Sequence, residues 1–213
     1  MYMKKSITAT VLLLLFTTVT AQVKIGVKGG WNYCSTKAVY TGVKQSTGFV
    51  HGFGAGMMTD IPFDGVLHFT PSVMVNNRGF IIKPVTGNII KEKYSITYLD
   101  LIPALSAEFE NGDNAFSITA GPVFGFTSLG NLKTTDNNNA TTSQKLQFGF
   151  TDYGWFDMGL KGGVGYRVKK TVFEASYYLG LTNINNQEEN DGRNIRHRMV
   201  SLTVGYYFKQ TAH

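Results

Sequence analysis

Two stretches in the last third of the chain alternate in polarity for longer than a globular protein requires. From Phe156 to Val168 one parity carries Phe156, Met158, Leu160, Val164, Tyr166 and Val168, and the other carries Asp157, Gly159, Lys161, Gly163, Gly165 and Arg167. After Lys169, Lys170 and Thr171 the pattern resumes, with Phe173, Ala175, Tyr177, Leu179 and Leu181 set against Glu174, Ser176, Tyr178 and Gly180. Strand side chains alternate between faces, so this is the period-two signature of a β-hairpin. Ordinary strands run about five or six residues. These alternate for about twice as long, and a tilted strand needs about 9–11 residues to cross a bilayer. The polar parity is rich in glycine and carries both signs of charge, which suits the crowded lumen of a small barrel.

The N-terminus fits a chain sent to such a membrane. Met1-Tyr2-Met3-Lys4-Lys5 precedes an apolar core around residues 11–16 and the compact triplet Val19-Thr20-Ala21, the pattern of a secretory signal peptide cut after Ala21. That core is shorter than the roughly 20 residues of a membrane helix. Residues 1–21 are therefore read as a signal peptide and 22–213 as one barrel domain. The 24 glycines, 15 phenylalanines and 11 tyrosines suit alternating strands. The formal net charge of +6 includes Lys4 and Lys5 and has no basic run behind it, which argues against nucleic acid and weakly for acidic lipid headgroups. Cys34 is the only cysteine, so no intramolecular disulfide can form.

The rest of the chain repeats the pattern. Alternating segments run over 23–33, 49–59, 66–81, 93–109, 115–127 and 198–208, which with the hairpin makes eight strands. The connections alternate in length: 34–48, 83–91, 129–148 and 183–195 are long and polar, whereas 60–65, 111–114 and 169–171 are short. Even strand number, short periplasmic turns and long external loops characterise outer-membrane barrels. Trp31, Tyr33, Phe49, Phe80, Tyr94, Phe126 and Trp155 fall near the outer strand ends and Phe63, Phe109, Phe116, Tyr166, Phe173, Tyr206 and Phe208 near the inner ones, as two interfacial girdles would. Pro71, Pro103 and Pro122 lie inside strands and predict bulges or interrupted pairing.

Several motifs carry a family resemblance: K-I-G-V-K-G-G from Lys24, Y-L-D-L-I-P from Tyr98, A-G-P-V-F-G-F from Ala120, D-M-G-L-K-G-G-V-G-Y from Asp157, E-A-S-Y-Y-L-G-L-T-N-I from Glu174 and S-L-T-V-G-Y-Y-F from Ser201. In order and spacing the chain resembles the PorT-like outer-membrane β-barrel proteins, often labelled porin family. That resemblance implies an eight-stranded barrel in the outer membrane and assigns no role to individual residues. Family strands often end on a terminal aromatic, and here Phe208 is followed by Lys209 to His213.

The fold class expected is thus all-β, an eight-stranded antiparallel up-and-down transmembrane β-barrel in the outer membrane of a Gram-negative-type bacterium. Its lumen would hold a charge cluster of Lys28, Arg78, Asp100, Glu108, Asp157, Lys161, Arg167 and Glu174. Charges in so narrow a lumen are costly unless paired, so the cluster reads as a structural plug, and as the lining of a small non-specific channel in the runner-up reading. No catalytic residue, cofactor or metal site is expected. The period-two glycines at 52–56 and 159–165 do not stand at a strand-to-helix junction as phosphate loops do. His51, His68, His197 and His213 lack ligand spacing. A lipid-modifying enzyme would draw on His51 or His197 with Ser46, Ser128 or Glu188 near the rim. A soluble periplasmic barrel with its apolar face turned inward has the same alternation. Expected partners are membrane lipid and lipopolysaccharide, the outer-membrane insertion machinery and a protein of unknown identity at the long outer loops.

Overall fold

The computed structural model describes residues 23–84, 87–149, 153–186 and 192–209. The expected signal peptide lies outside them, as do Glu188, His213 and the side chain of Ser128. Among the described residues there are ten strands: β1 (Lys24–Tyr40), β2 (Val43–Lys44), β3 (Ser46–Asp64), β4 (Leu67–Lys83), β5 (Ile89–Asn111), β6 (Asn114–Asp136), β7 (Thr141–Lys145), β8 (Phe156–Val168), β9 (Thr171–Gly180) and β10 (Arg193–Lys209). The long strands β1, β3, β4, β5, β6, β8, β9 and β10 pair antiparallel in that order. β10 then pairs back onto β1, from Gly26↔Tyr207 to Tyr40↔Arg193, so the sheet closes on itself. Closure leaves none of these strands as a bare edge. The short β2 and β7 add to β1 and β6 at one end only.

That end differs from the other. At the turn end, β3–β4, β5–β6 and β8–β9 are joined by tight turns with positive φ at Gly65, Gly112 and Lys169. At the loop end, much of what was expected to be loop is strand. β1 continues through Lys37 to Tyr40, β5 begins at Ile89, and β6 runs to Asp136 before turning back into β7. These extensions are polar on the outside, which is why they read as loops, yet they keep an apolar inner parity. Ala38, Phe80, Ile82, Tyr94, Ile96, Leu132, Leu146, Ile184 and Ile195 form one buried cluster there. Phe80 and Tyr94 therefore do not join an outer girdle. Both are fully buried and stack at 4.5 Å inside.

β5 shows the reversal on one strand. Near the turn end its outward parity is Leu99, Leu101, Leu105 and Phe109, all exposed, and its inward parity holds Asp100, Ile102, Ala104, Ser106 and Glu108. Toward the loop end the outward residues become Lys91, Lys93, Ser95 and Thr97, and the inward ones Tyr94, Ile96 and Tyr98. The register of β5 against β6 shifts at the same level, between Thr97↔Leu129 and Tyr98↔Thr127. One extra residue on β6 flips its parity, so Thr127 points inward below the shift and Leu132 above it. The prolines behave more simply. Pairing is interrupted between Met58↔Ser72 and Ile61↔Phe69, and between Leu101↔Phe124 and Leu105↔Ala120, without a change of register. Pro71 and Pro103 face each other across β4 and β5, and the Thr59 hydroxyl donates to the Pro71 carbonyl at 3.0 Å.

Candidate functional site

All eight charges singled out in the sequence point into the closed sheet, and they fall into three groups. The first centres on Arg78 from β4, whose exposure is 0%. Its Nη2 donates to Asp100 Oδ1 of β5 at 2.5 Å and its Nη1 to Asp157 Oδ2 of β8 at 2.6 Å. The rings of Tyr98 and Tyr178 lie 4.5 and 4.4 Å from the guanidinium carbon, so the cation is clamped between two π faces. The carboxylates are satisfied further. Tyr178 and Thr182 hydroxyls each donate to Asp157 at 2.8 Å, and Asn76 donates to Asp100 at 2.7 Å.

From Asn76 the network continues round the wall. Asn32 of β1 donates to Asn76 at 3.1 Å, and Ser201 of β10 donates to Asn32 at 2.8 Å. The two remaining long strands contribute room. A Cβ at Gly54 of β3 would lie 1.8 Å from Asn76 Oδ1, and one at Gly125 of β6 would lie 2.8 Å from Asp100 Oδ1. One layer thus draws on every long strand, six with side chains and two with glycine. The free volume beside it is about 20 Å³, room for a single water.

The second group is Lys28, Lys161 and Glu174. Glu174 pairs with Lys161 and lies 3.8 Å from Lys28. The cavity around it is about 40 Å³. The third group closes the turn end. Arg167 pairs with Glu110 at 2.7 Å and Glu108 at 3.5 Å, while Asp60 accepts from Lys24 at 2.9 Å and meets His68 Nδ1 at 2.6 Å. The groups differ in balance: one cation with two carboxylates, two cations with one, then three carboxylates with two cations and His68.

Asp60, His68 and Glu108 bring ligand atoms within 4.8 Å of one another. A metal there would have to compete with Lys24 and Arg167, which already neutralise the two carboxylates. Alternation along the chain does not bring Asp60 and His68 together, nor does it single out Tyr98 and Tyr178. Inward parity was the available signal for these residues, but partners on different strands are not visible along the chain. The rim histidines part company. His51 points outward and stacks on Trp31 at 5.3 Å. His197 is buried inside with its Nε2 3.2 Å from the Tyr98 hydroxyl.

The sequence model of the family described as outer membrane protein beta-barrel domain matches residues 18–186. The chain belongs to that family. Among solved members of the outer-membrane world, this β-barrel domain is similar to Ail, the attachment invasion locus protein of Yersinia pestis, in complex with the heparin analogue sucrose octasulfate, at 13% identity over 88% of this chain and 99% of that one, with a TM-score of 0.44. Neisserial surface protein A is similar at 14% identity over 86% of this chain and 97% of that one, TM-score 0.42. The N-terminal β-barrel domain of Pseudomonas aeruginosa OprF is similar at 12% identity over 87% and 97%, TM-score 0.35. No curated protein matches the chain.

Proposed function

We propose that the chain is an eight-stranded transmembrane barrel of the outer membrane, closed to solutes, that works as a structural or interaction protein through its loop-end extension. The observation that carries this reading is the Arg78 layer, which runs through every long strand and leaves about 20 Å³ free beside a guanidinium that solvent does not reach. An ion pathway needs exposed charge along a continuous opening, whereas here each inward charge has a partner. Outside, the belt from Phe53, at 71% exposure, round to Val204 presents apolar side chains to whatever surrounds the sheet, and lipid is the solvent that suits it. Membrane lipid, lipopolysaccharide and the insertion machinery are the partners this implies, together with an unknown protein at the long connections.

The test is single-channel recording on purified protein that migrates differently on SDS gels before and after boiling. A closed barrel gives no steady conductance. A steady conductance whose ion selectivity changes in Lys161→Gln or Glu174→Gln would assign a pore and overturn the proposal.

A further inference from the structure

At the loop end the outward parity changes from apolar to basic in one step on β10, from Val200 to Arg198, and across Ser35 on β1, from Tyr33 to Lys37. Lys37 and Arg196 are direct cross-strand neighbours, and Arg198 lies opposite Ser35 on one side and Leu179 on the other. Directly opposite residues lie about 5 Å apart and next-but-one residues about 7 Å, so the three cations share a patch the size of one or two phosphate groups. None of the ion pairs among the described residues includes Lys37, Lys44, Arg196 or Arg198.

Immediately below lies the aromatic rim. Val200, the next outward residue after Arg198, pairs with Tyr33 and Tyr177, and Tyr33 stacks on Phe49 at 4.3 Å. The surface is indented here because the β1–β3 ladder ends at Cys34↔Val50, after which β1 turns to β2 and β3 stays with β4. The resulting open groove, about 820 Å³, has Tyr33, Phe49 and Tyr177 on its apolar side and Lys37, Lys44 and Arg198 on its basic side.

We propose that this groove holds a phosphorylated glycolipid of the outer leaflet, its phosphates on Lys37 and Arg198 of the groove and on Arg196, which stands opposite Lys37 just outside the lining, and its acyl chains along the aromatic side. The assignment rests on the membrane reading above. Charge beside an aromatic floor chooses a lipid over a soluble anion. The other basic wall, where Lys93 opposes Lys133 with Lys91 beside it, has Ile81, Ser95, Asn131 and Ser143 as outward neighbours, with no aromatic residue among them. Arginine forks match phosphate oxygens in pairs, and an apolar floor next to them is what a free phosphate would leave unused.

The experiment uses the full chain in zwitterionic phosphatidylcholine nanodiscs, titrated with bisphosphorylated lipid A and followed by native mass spectrometry. Binding is expected with bisphosphorylated lipid A and to fall at least tenfold with the dephosphorylated form. The variant K37Q/R196Q/R198Q should lose roughly fivefold for each cation removed, whereas K91Q/K93Q/K133Q keeps the affinity of the parent. Equal loss in both variants, equal binding of dephosphorylated lipid, or full competition by inorganic phosphate or a soluble sulfated polysaccharide overturns the proposal. Outer-membrane fractionation and heat-dependent gel mobility of the same variants judge the barrel reading separately, so failure of one is not mistaken for failure of the other.

Discussion

The middle of the closed sheet and its loop-end extension are built from the same strands with opposite hydropathy. In the middle, Leu99, Leu101 and Leu105 of β5 face out and Asp100 and Glu108 face in. In the extension, Lys91 and Lys93 face out and Tyr94 and Ile96 face in. Backbone pairing is continuous across the change apart from the shift at Thr97. The difference teaches that hydropathy parity reports the surrounding solvent, while the alternation itself reports the strand. The extension has an apolar core, with Glu92 paired to Arg193 beside it, and a polar outer face of the kind water suits. The middle buries paired charges and hydrogen-bonded polar groups next to a smaller apolar group of Met74, Ile102, Ala104, Val123 and Met199, so inside it hydrogen bonds and ion pairs add to apolar packing.

The strongest test of that contrast is Arg78→Ala. Removing the guanidinium leaves Asp100 and Asp157 facing each other in an enclosed layer, and breaking a buried pair of this kind costs about 3–5 kcal/mol. Urea unfolding in lipid, read by the loss of heat-dependent gel mobility, should show a loss of that size. A triple variant, Arg78→Met with Asp100→Asn and Asp157→Asn, should recover most of it, because the layer then carries no unpaired charge. A triple variant no more stable than Arg78→Ala would show that the arginine acts by volume and by its stacking on Tyr98 and Tyr178, not by pairing.

Solvent identity is tested by placing one charge on each outside wall. Val204→Arg puts a guanidinium in the middle of the apolar belt of β10, where the cost in a bilayer is about 2–4 kcal/mol at the midplane. Ser143→Arg puts the same group on exposed β7, where surface substitutions stay within about 0.5 kcal/mol. Folding yield into vesicles should fall for the first variant and not for the second. If both fold equally well, the belt does not face lipid.

How much of this was legible along the chain follows the same division. Parity alone gave the long strands, the tight turns at Gly65, Gly112 and Lys169, and the inward orientation of all eight charges, because a strand's alternation is local. Pairing partners were not local. Asp60 with His68, and Tyr98 with Tyr178 about Arg78, come together only when strands close on one another, and charge alone does not point to the tyrosines. The extension reads as loop along the chain for a physical reason. Lysine, threonine and asparagine on its outer face are what a loop also shows, and the inner residues Phe80, Tyr94, Ile96 and Leu132 are spread over three strands. Phe80 and Tyr94 read as girdle residues because an aromatic at a strand end satisfies either role until the surroundings at that level are fixed.

The smallest expected effect sharpens the comparison most. Ile195→Val removes one methylene from the fully enclosed cluster at the loop end, and such a change in a water-surrounded core costs about 0.5–1.5 kcal/mol. Since the extension packs on itself above the charged layer, the loss should be confined there. Amide exchange should rise in β1 beyond Cys34, in β5 before Thr97 and at the start of β10, while the middle of the sheet keeps its protection and the heat-dependent gel shift is unchanged. A uniform rise over both regions would mean that the two cores unfold as one unit, and that the change of hydropathy along β5 marks a change of surroundings without marking a boundary of cooperativity.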